Sequence, residues 1–275
     1  MNLGLENKVA LVAGGSSGLG LAAAKELARE GAHVAIGARD RDRLAAAERG
    51  VKEVARGRVH ATSVDVTDTA AAHRWVDEVA ADLGALHIVL VGGAGPPVGT
   101  ASRFELPEYR AAIDAVLLPA VGLALAALPH LKAARWGRLL FVASETASVP
   151  IAPLALSGVT RAAIVRFAQS LASEVGRDGI TVNVLAPGGT RTPPVERAAA
   201  KLAEDGDIEA QLRAIGRHNA LGRLARPDEF AAVAAFLAGE RASYVTGAVH
   251  LIDGGASVMG PELPHLTAAR KNTFT

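Results

Sequence analysis

No cysteine occurs among the 275 residues. That excludes disulfides, thiolate metal ligands and cysteine nucleophiles. Aromatic residues are scarce, at 4% of the chain, and only two are tyrosines, Tyr109 and Tyr244. Any chemistry that needs a phenol therefore has two places to find one. Excess charge is missing as well. Lys and Arg number 29 against 28 Asp and Glu, a formal net charge of +1, so no global field recruits nucleic acid or an anionic membrane surface. The longest apolar run, "AVLLPAVGLALAALP" (115–129), falls short of the ~20 residues of a membrane span and holds two prolines. It is expected to be a buried helix. The first residues, "MNLGLENKVALVAGG", show no basic patch followed by a long apolar core, and so no signal-peptide pattern. The expectation is a cytoplasmic chain that binds neither nucleic acid nor membrane and carries no metal.

What the sequence does have is apolar mass, 50% of its residues. Most of it is Ala, Val and Leu, the composition of buried parallel strands packed on alanine-rich helices. Short β-like runs alternate with longer helical ones. "VALVAG" (9–14) leads to a helix over 18–29, "HVAIGA" (33–38) to one over about 41–55, and "RVHATSV" (58–64) to one over about 69–83. "LHIVLVGG" (86–93) precedes a helix over about 105–134, and "GRLLFVAS" (137–144) one over about 157–176. "ITVNVLAPG" (180–188) and "YVTGAVHLIDGG" (244–255) supply the last strands. This βαβ rhythm predicts a single α/β domain over 1–275, a Rossmann-type doubly wound parallel sheet of about seven strands with helices on both faces. Residues 189–226 interrupt it and are placed to cover a ligand crevice as a helical segment, and 260–275 form a polar tail.

The first motif with chemical content is "LVAGGSSGLGLAAA". Gly14, Gly18 and Gly20 lie in a strand-turn-helix, where glycine lets the backbone turn tightly and approach a pyrophosphate at the positive end of the next helix. Ser16 and Ser17 add hydroxyl donors, and Leu19 completes the loop. A glycine-rich turn without a ligand is the plain alternative; the position directly after the first strand favours a nucleotide. At the end of the second strand, "IGARDRDR" has Ala38 where a carboxylate would hold the adenosine ribose, followed by Arg39. An arginine there suits a 2′-phosphate, which favours NADP(H) over NAD(H), although Asp40 and Asp42 could pair with Arg39, Arg41 and Arg43 in an ordinary solvated helix start. Asp65 and Val66, ending the third strand in "SVDVTD", would flank an adenine ring, while Thr67 or Asp68 could cap the next helix.

With these motifs the chain resembles the short-chain dehydrogenase/reductase family over about residues 5–256. "GGSSGLG" is similar to that family's phosphate loop and "DVTD" to its adenine site. "GGAG" (92–95), with Gly93, Ala94 and Gly95, stands where the family has Asn-Asn-Ala-Gly. "PGGTRT" (187–192) is similar to its Pro-Gly turn and contributes Pro187, Gly188, Thr190 and Thr192, the last in line for the nicotinamide amide. The resemblance implies an oxidoreductase of small carbonyl or alcohol substrates, a homodimer or homotetramer, and a catalytic Asn, Ser, Tyr and Lys. Only the serine is found, as Ser144 in "FVASE". Thirteen residues on, the tyrosine position holds Ser157; four further, the lysine position holds Arg161; and Val116 stands at the asparagine.

A serine hydroxyl is a far weaker acid than a phenol and reaches less far, so Ser157 is a poor proton donor. Arg161 can hydrogen-bond a ribose diol and stabilise an alkoxide, but it holds its proton. Glu145, next to Ser144 at the carboxyl end of a strand, is a candidate acid if desolvated; an exposed loop glutamate is the plain alternative. His218 in the covering segment is a second candidate, with a surface histidine as its plain reading. Pro119 frees the carbonyl of Ala115 and should kink the long helix. Three readings stay open: a reductase of nonstandard mechanism, a lyase, isomerase or cyclase on the same scaffold, and a catalytically silent NADP(H)-binding protein.

Overall fold

The computed structural model describes residues 1–203 and 206–259; the tail expected over 260–275 lies outside them. Seven strands, β1 (Val9–Ala13), β2 (His33–Ala38), β3 (Val59–Ser63), β4 (Ile88–Val91), β5 (Gly137–Val142), β6 (Ile180–Pro187) and β7 (Val249–Ile252), form one sheet in the order β3-β2-β1-β4-β5-β6-β7. Every neighbouring pair is parallel. All carboxyl ends therefore point to one edge, and the chain's direction of travel reverses between β1 and β4, where such sheets open a crevice.

Alternation along each strand sends side chains to two separate cores. Val9, Leu11, Val89, Leu139, Phe141, Val182 and Val184 pack on one face beneath α3 (Thr69–Leu83), α5 (Leu118–Ala134) and α6 (Ala155–Val175). Ala10, Val12, Ile88, Leu90 and Leu140 pack on the other beneath α1 (Gly18–Arg29), α2 (Arg41–Lys52) and α9 (Pro227–Ala238). Between β6 and β7 the chain adds α7 (Pro193–Leu202) and α8 (Ile208–Gly216), so the segment expected to cover the crevice is helical. Arg191 ties these two together, bonding Glu196 at 3.0 Å and Glu209 at 2.6 Å.

Two boundaries differ from expectation for local reasons. β4 ends at Val91 because Gly92 leaves the sheet at a point where a Cβ would come within 2.8 Å of the Ala13 carbonyl oxygen. β7 starts only at Val249, after Gly247 turns at φ 70°. The long helix does distort at the proline. α4 (Leu106–Ala112) runs through a π-helical turn, Ile113–Leu117, into α5, with the Leu118 amide donating to the Ile113 carbonyl five residues back. The whole stretch Leu106–Ala134 is long and apolar enough to cross a membrane by length and composition, longer than the apolar run alone suggested. Its Leu123, Ala124, Ala127 and Leu131 are buried against α3, β4 and β5.

Gly37 in the middle of the sheet marks a close approach. A Cβ there would run into the six-membered ring of Trp75, which is fully buried. Gly37→Ala should therefore lower stability by about 1–3 kcal/mol through overpacking, read from the urea midpoint at unchanged m-value.

Candidate functional site

Three helices are capped by aspartate side chains: Asp40 accepts from the Arg43 amide at the start of α2, Asp68 from the Ala71 amide at α3, and Asp207 from the Ala210 amide at α8. α1 has no such cap: its N-cap residue Ser17 makes no side-chain cap bond, and its first turn holds no acid. The loop before it is shaped by glycine: Gly14 and Gly18 turn at φ 73° and 54°, a Cβ on Gly20 would collide with the Gly14 carbonyl, and one on Gly15 would lie 2.8 Å from Ile36. Free amides at the positive end of a helix, in a cradle without Cβ atoms, fit the pyrophosphate of a dinucleotide. Two other segments converge on this loop. A Cβ on Gly18 would sit 3.4 Å from the Thr192 methyl, and one on Gly14 would sit 3.4 Å from the carbonyl carbon of Gly92 and 3.5 Å from the Gly93 amide.

At the end of β2 the arginines divide. Arg43 is tied to Asp40 at 2.7 Å, an ordinary pairing at a helix start. Arg39 is two-thirds exposed and meets Asp65 only at 3.9 Å. The Asp65 carboxylate is occupied instead by the Thr67 amide at 3.0 Å and hydroxyl at 2.8 Å, and the amide bond foremost holds its carboxyl below the usual range. Arg39 is thus a cation available to a phosphate at this edge. Val66 is partly buried against the core below.

The ends of β5 and α6 build the second half of the site. Ser144 closes β5 and its hydroxyl accepts the Thr146 amide at 3.2 Å, at a single 3-10 turn, Glu145–Ala147. The buried Thr146 hydroxyl in turn bonds the Ser157 hydroxyl at 3.1 Å. One turn along α6, Arg161 is 8% exposed. Its guanidinium donates to the Val142 carbonyl at 2.9 Å and the Ala94 carbonyl at 3.5 Å. No carboxylate among the described residues balances its charge, and desolvation lowers its pKa to about 10. At neutral pH it remains charged. Five N–H donors meet two carbonyls, so donors remain for a ligand.

Glu145 points the other way. A Cβ on Gly188 would lie 2.8 Å from its Oε2 and against Asp253. Burial, followed by the Asp253 charge, pushes the Glu145 carboxyl up. Asp253 is also desolvated, but the Ser257 side chain, followed by the Ser257 and Gly255 amides at 2.8 and 2.9 Å, outweighs that and keeps it below its usual range. The site is therefore polarised: a buried cation between β4 and β5, and a carboxyl pair between β6 and β7.

Other expected residues are placed less centrally. Thr190 is buried and spends its hydroxyl on the Gly188 carbonyl at 3.1 Å. Pro187 ends β6, and the Gly188 amide is bonded to the Ile252 carbonyl. Gly93, Ala94 and Gly95 form an exposed rim. Val116 is buried in the π-helical turn. His218 is exposed. Neither tyrosine serves the site: Tyr109 donates to the Ala101 carbonyl at 3.0 Å and Tyr244 is fully exposed. Residue patterns did not single out Thr146 and Asp253. Position alone hinted at them, two residues past Ser144 and at the carboxyl end of the last strand.

Comparison with known proteins agrees with this geometry. A family model described as enoyl-(acyl carrier protein) reductase matches residues 13–257. Cis-4-hydroxycyclohexanecarboxylate dehydrogenase of Sinomonas cyclohexanicum is 34% identical over 90% of this chain and 96% of its own length. D-beta-hydroxybutyrate dehydrogenase of Cupriavidus necator is 31% identical over 91% and 98%. The crystal structure of L-sorbose reductase from Gluconobacter frateurii, complexed with NADPH and L-sorbose, superposes with a TM-score of 0.90 at 33% identity, covering 94% of this chain and all of that one.

The glycine cradle makes a direct prediction. Gly20→Ala places a methyl on the Gly14 carbonyl and should abolish measurable NADPH uptake by calorimetry, while far-UV circular dichroism stays that of the parent.

Proposed function

Because the chain belongs to the short-chain dehydrogenase/reductase family, we propose that it is an NADP(H)-dependent oxidoreductase of a small carbonyl or alcohol substrate that works without the tyrosine and lysine of its relatives. The observation that carries this reading is the uncapped, glycine-lined amino terminus of α1 with Arg39 beside it. Gly14, Ser16, Ser17, Gly18, Leu19 and Gly20 would hold the pyrophosphate, Arg39 the 2′-phosphate, Asp65 and Val66 the adenine, and Gly93 to Gly95, Pro187, Gly188, Thr190 and Thr192 the nicotinamide half. When bound, the nicotinamide supplies or accepts the hydride.

The chain's own residues then have divided work. Ser144 orients the substrate oxygen. Arg161 donates to the cofactor ribose and opposes negative charge as it develops on that oxygen. Ser157, held by Thr146, shapes the pocket. Glu145, whose carboxyl is pushed up by burial, returns the proton through a bridging water. The apolar side chains exposed on α5 and α6, Leu118, Leu125 and Val159, suit pairing of copies into a dimer or tetramer, and the compartment we propose is the cytoplasm. The lack of a phenol in the site favours one other reading, a silent NADP(H) binder, which would take up nucleotide and turn over nothing.

Two outcomes test the reading. Arg39→Ala should weaken NADPH about 10- to 100-fold, the loss of one hydrogen bond to a charged group, and leave NADH unchanged; equal loss for both would remove Arg39 from the phosphate. Reduction needs Glu145 protonated. The rate should therefore be highest below its raised pKa and fall as pH rises through it. Glu145→Gln should flatten that profile and lower kcat about 100-fold or more, whereas Ser157→Ala should stay within a few-fold of the parent.

A further inference from the structure

Two acidic residues pack on Gly188. A Cβ there would lie 2.8 Å from the Glu145 Oε2 and equally close to the Cα and Cβ of Asp253. The two acids are not equivalent. Asp253 is buried and takes the Gly255 amide at 2.9 Å and the Ser257 amide at 2.8 Å. Glu145 is half-buried, and no donor among the described residues bonds its carboxyl. The elements packed against its 3-10 turn do not supply a countercharge. α6 presents Arg161, already bonded to the Val142 and Ala94 carbonyls, and β6 carries no titratable side chain. The end of β7 adds Asp253, a like charge. Burial first, and then that charge, push Glu145 toward its neutral form. A cation brought to this turn would favour the carboxylate instead.

Gly188 belongs to the turn that would carry the nicotinamide half of the cofactor. The nicotinamide is the part of that molecule whose charge changes: the oxidised ring is positive and the dihydro ring is neutral, while the phosphates and riboses are the same in both. We infer that Glu145 is a specificity residue by which the site tells NADP⁺ from NADPH, favouring the oxidised coenzyme when it is a carboxylate. This rests on the cofactor reading above and adds a redox preference to it. Uptake of NADP⁺ by the protonated form sends the Glu145 proton to water, whereas uptake of NADPH leaves it in place. The sign follows from linkage. The group titrates at a higher pH in the free protein than beside the positive ring, so NADP⁺ binding tightens as pH rises between those two points and levels off above the upper one. NADPH binding lacks this contribution. Glu145 thus ties reaction direction to pH. Charged, it steadies the oxidised coenzyme; neutral, it holds the proton that reduction of a carbonyl consumes.

Calorimetry on the full chain tests this without a substrate. NADP⁺ and NADPH are each titrated from about pH 5.5 to about pH 8.5, in two buffers of different ionisation enthalpy so that protons released on binding are counted. The parent should release more protons with NADP⁺ than with NADPH over the range where NADP⁺ affinity climbs; the shared 2′-phosphate cancels in that difference. At about pH 8, Glu145→Gln should weaken NADP⁺ about tenfold or more and keep NADPH within about twofold of the parent, the second value showing that the fold and the glycine cradle are intact. Equal proton release for the two coenzymes in the parent, or an unchanged ratio of their affinities in Glu145→Gln, overturns the proposal and leaves the cofactor reading standing. Should Glu145→Gln fail to fold, the proton count of the parent decides alone. Failure to detect uptake of either coenzyme removes the cofactor reading and this inference together.

Discussion

Parallel pairing of β1 with both β2 and β4 is the constraint on which the site depends. It sends the carboxyl ends of all seven strands to one edge and opens that edge where the order reverses. Residues distant in sequence, such as Gly18, Gly92 and Thr192, are neighbours only because their strands end together. Two cores of Val, Leu, Ile and Ala hold the sheet from either face, so the edge carries the polar groups and the body carries the stability.

Along that edge the polar groups are not interchangeable. The positive end of α1 lacks a protein cap and Arg39 has only a distant carboxylate, so anionic ligand charge is wanted on the β1–β2 side. Arg161 is buried on the β4–β5 side without a counterion among the described residues. Burying an unpaired charge is costly in free energy, and a fold retains one where a ligand completes it. The carboxyls of Glu145 and Asp253 lie on the β6–β7 side, where burial and then the Asp253 charge raise the first, and hydrogen bonds from Ser257 and Gly255 lower the second. Three separate places on one edge thus carry the charged groups: Arg39, Arg161 and the Glu145–Asp253 pair.

Neither of the chain's two tyrosines lies in the site. Tyr109 belongs to the wall of the loop before α4, edge-on to Phe104, and Tyr244 faces solvent. Ser157, near the start of α6, is held to Thr146 instead, and the guanidinium of Arg161 lies one turn further along the same helix.

Much of this was legible in the chain itself. Short, nearly continuous apolar runs between alanine-rich helices specify buried strands and layers, and the spacing of Gly14, Gly18 and Gly20 after the first strand points to an anion cradle because glycine lets the backbone turn there. The family resemblance alone led to the expectation that Ser157 and Arg161 stand at the positions of a phenol and an ammonium. Sequence could not establish which way side chains turn once several strand ends meet. The engagement of Ser157 by Thr146, the solitude of the Arg161 guanidinium and the turning of Glu145 toward Asp253 are long-range contacts. They arise from packing between segments that carry no signal of one another, and only the tertiary structure decided them.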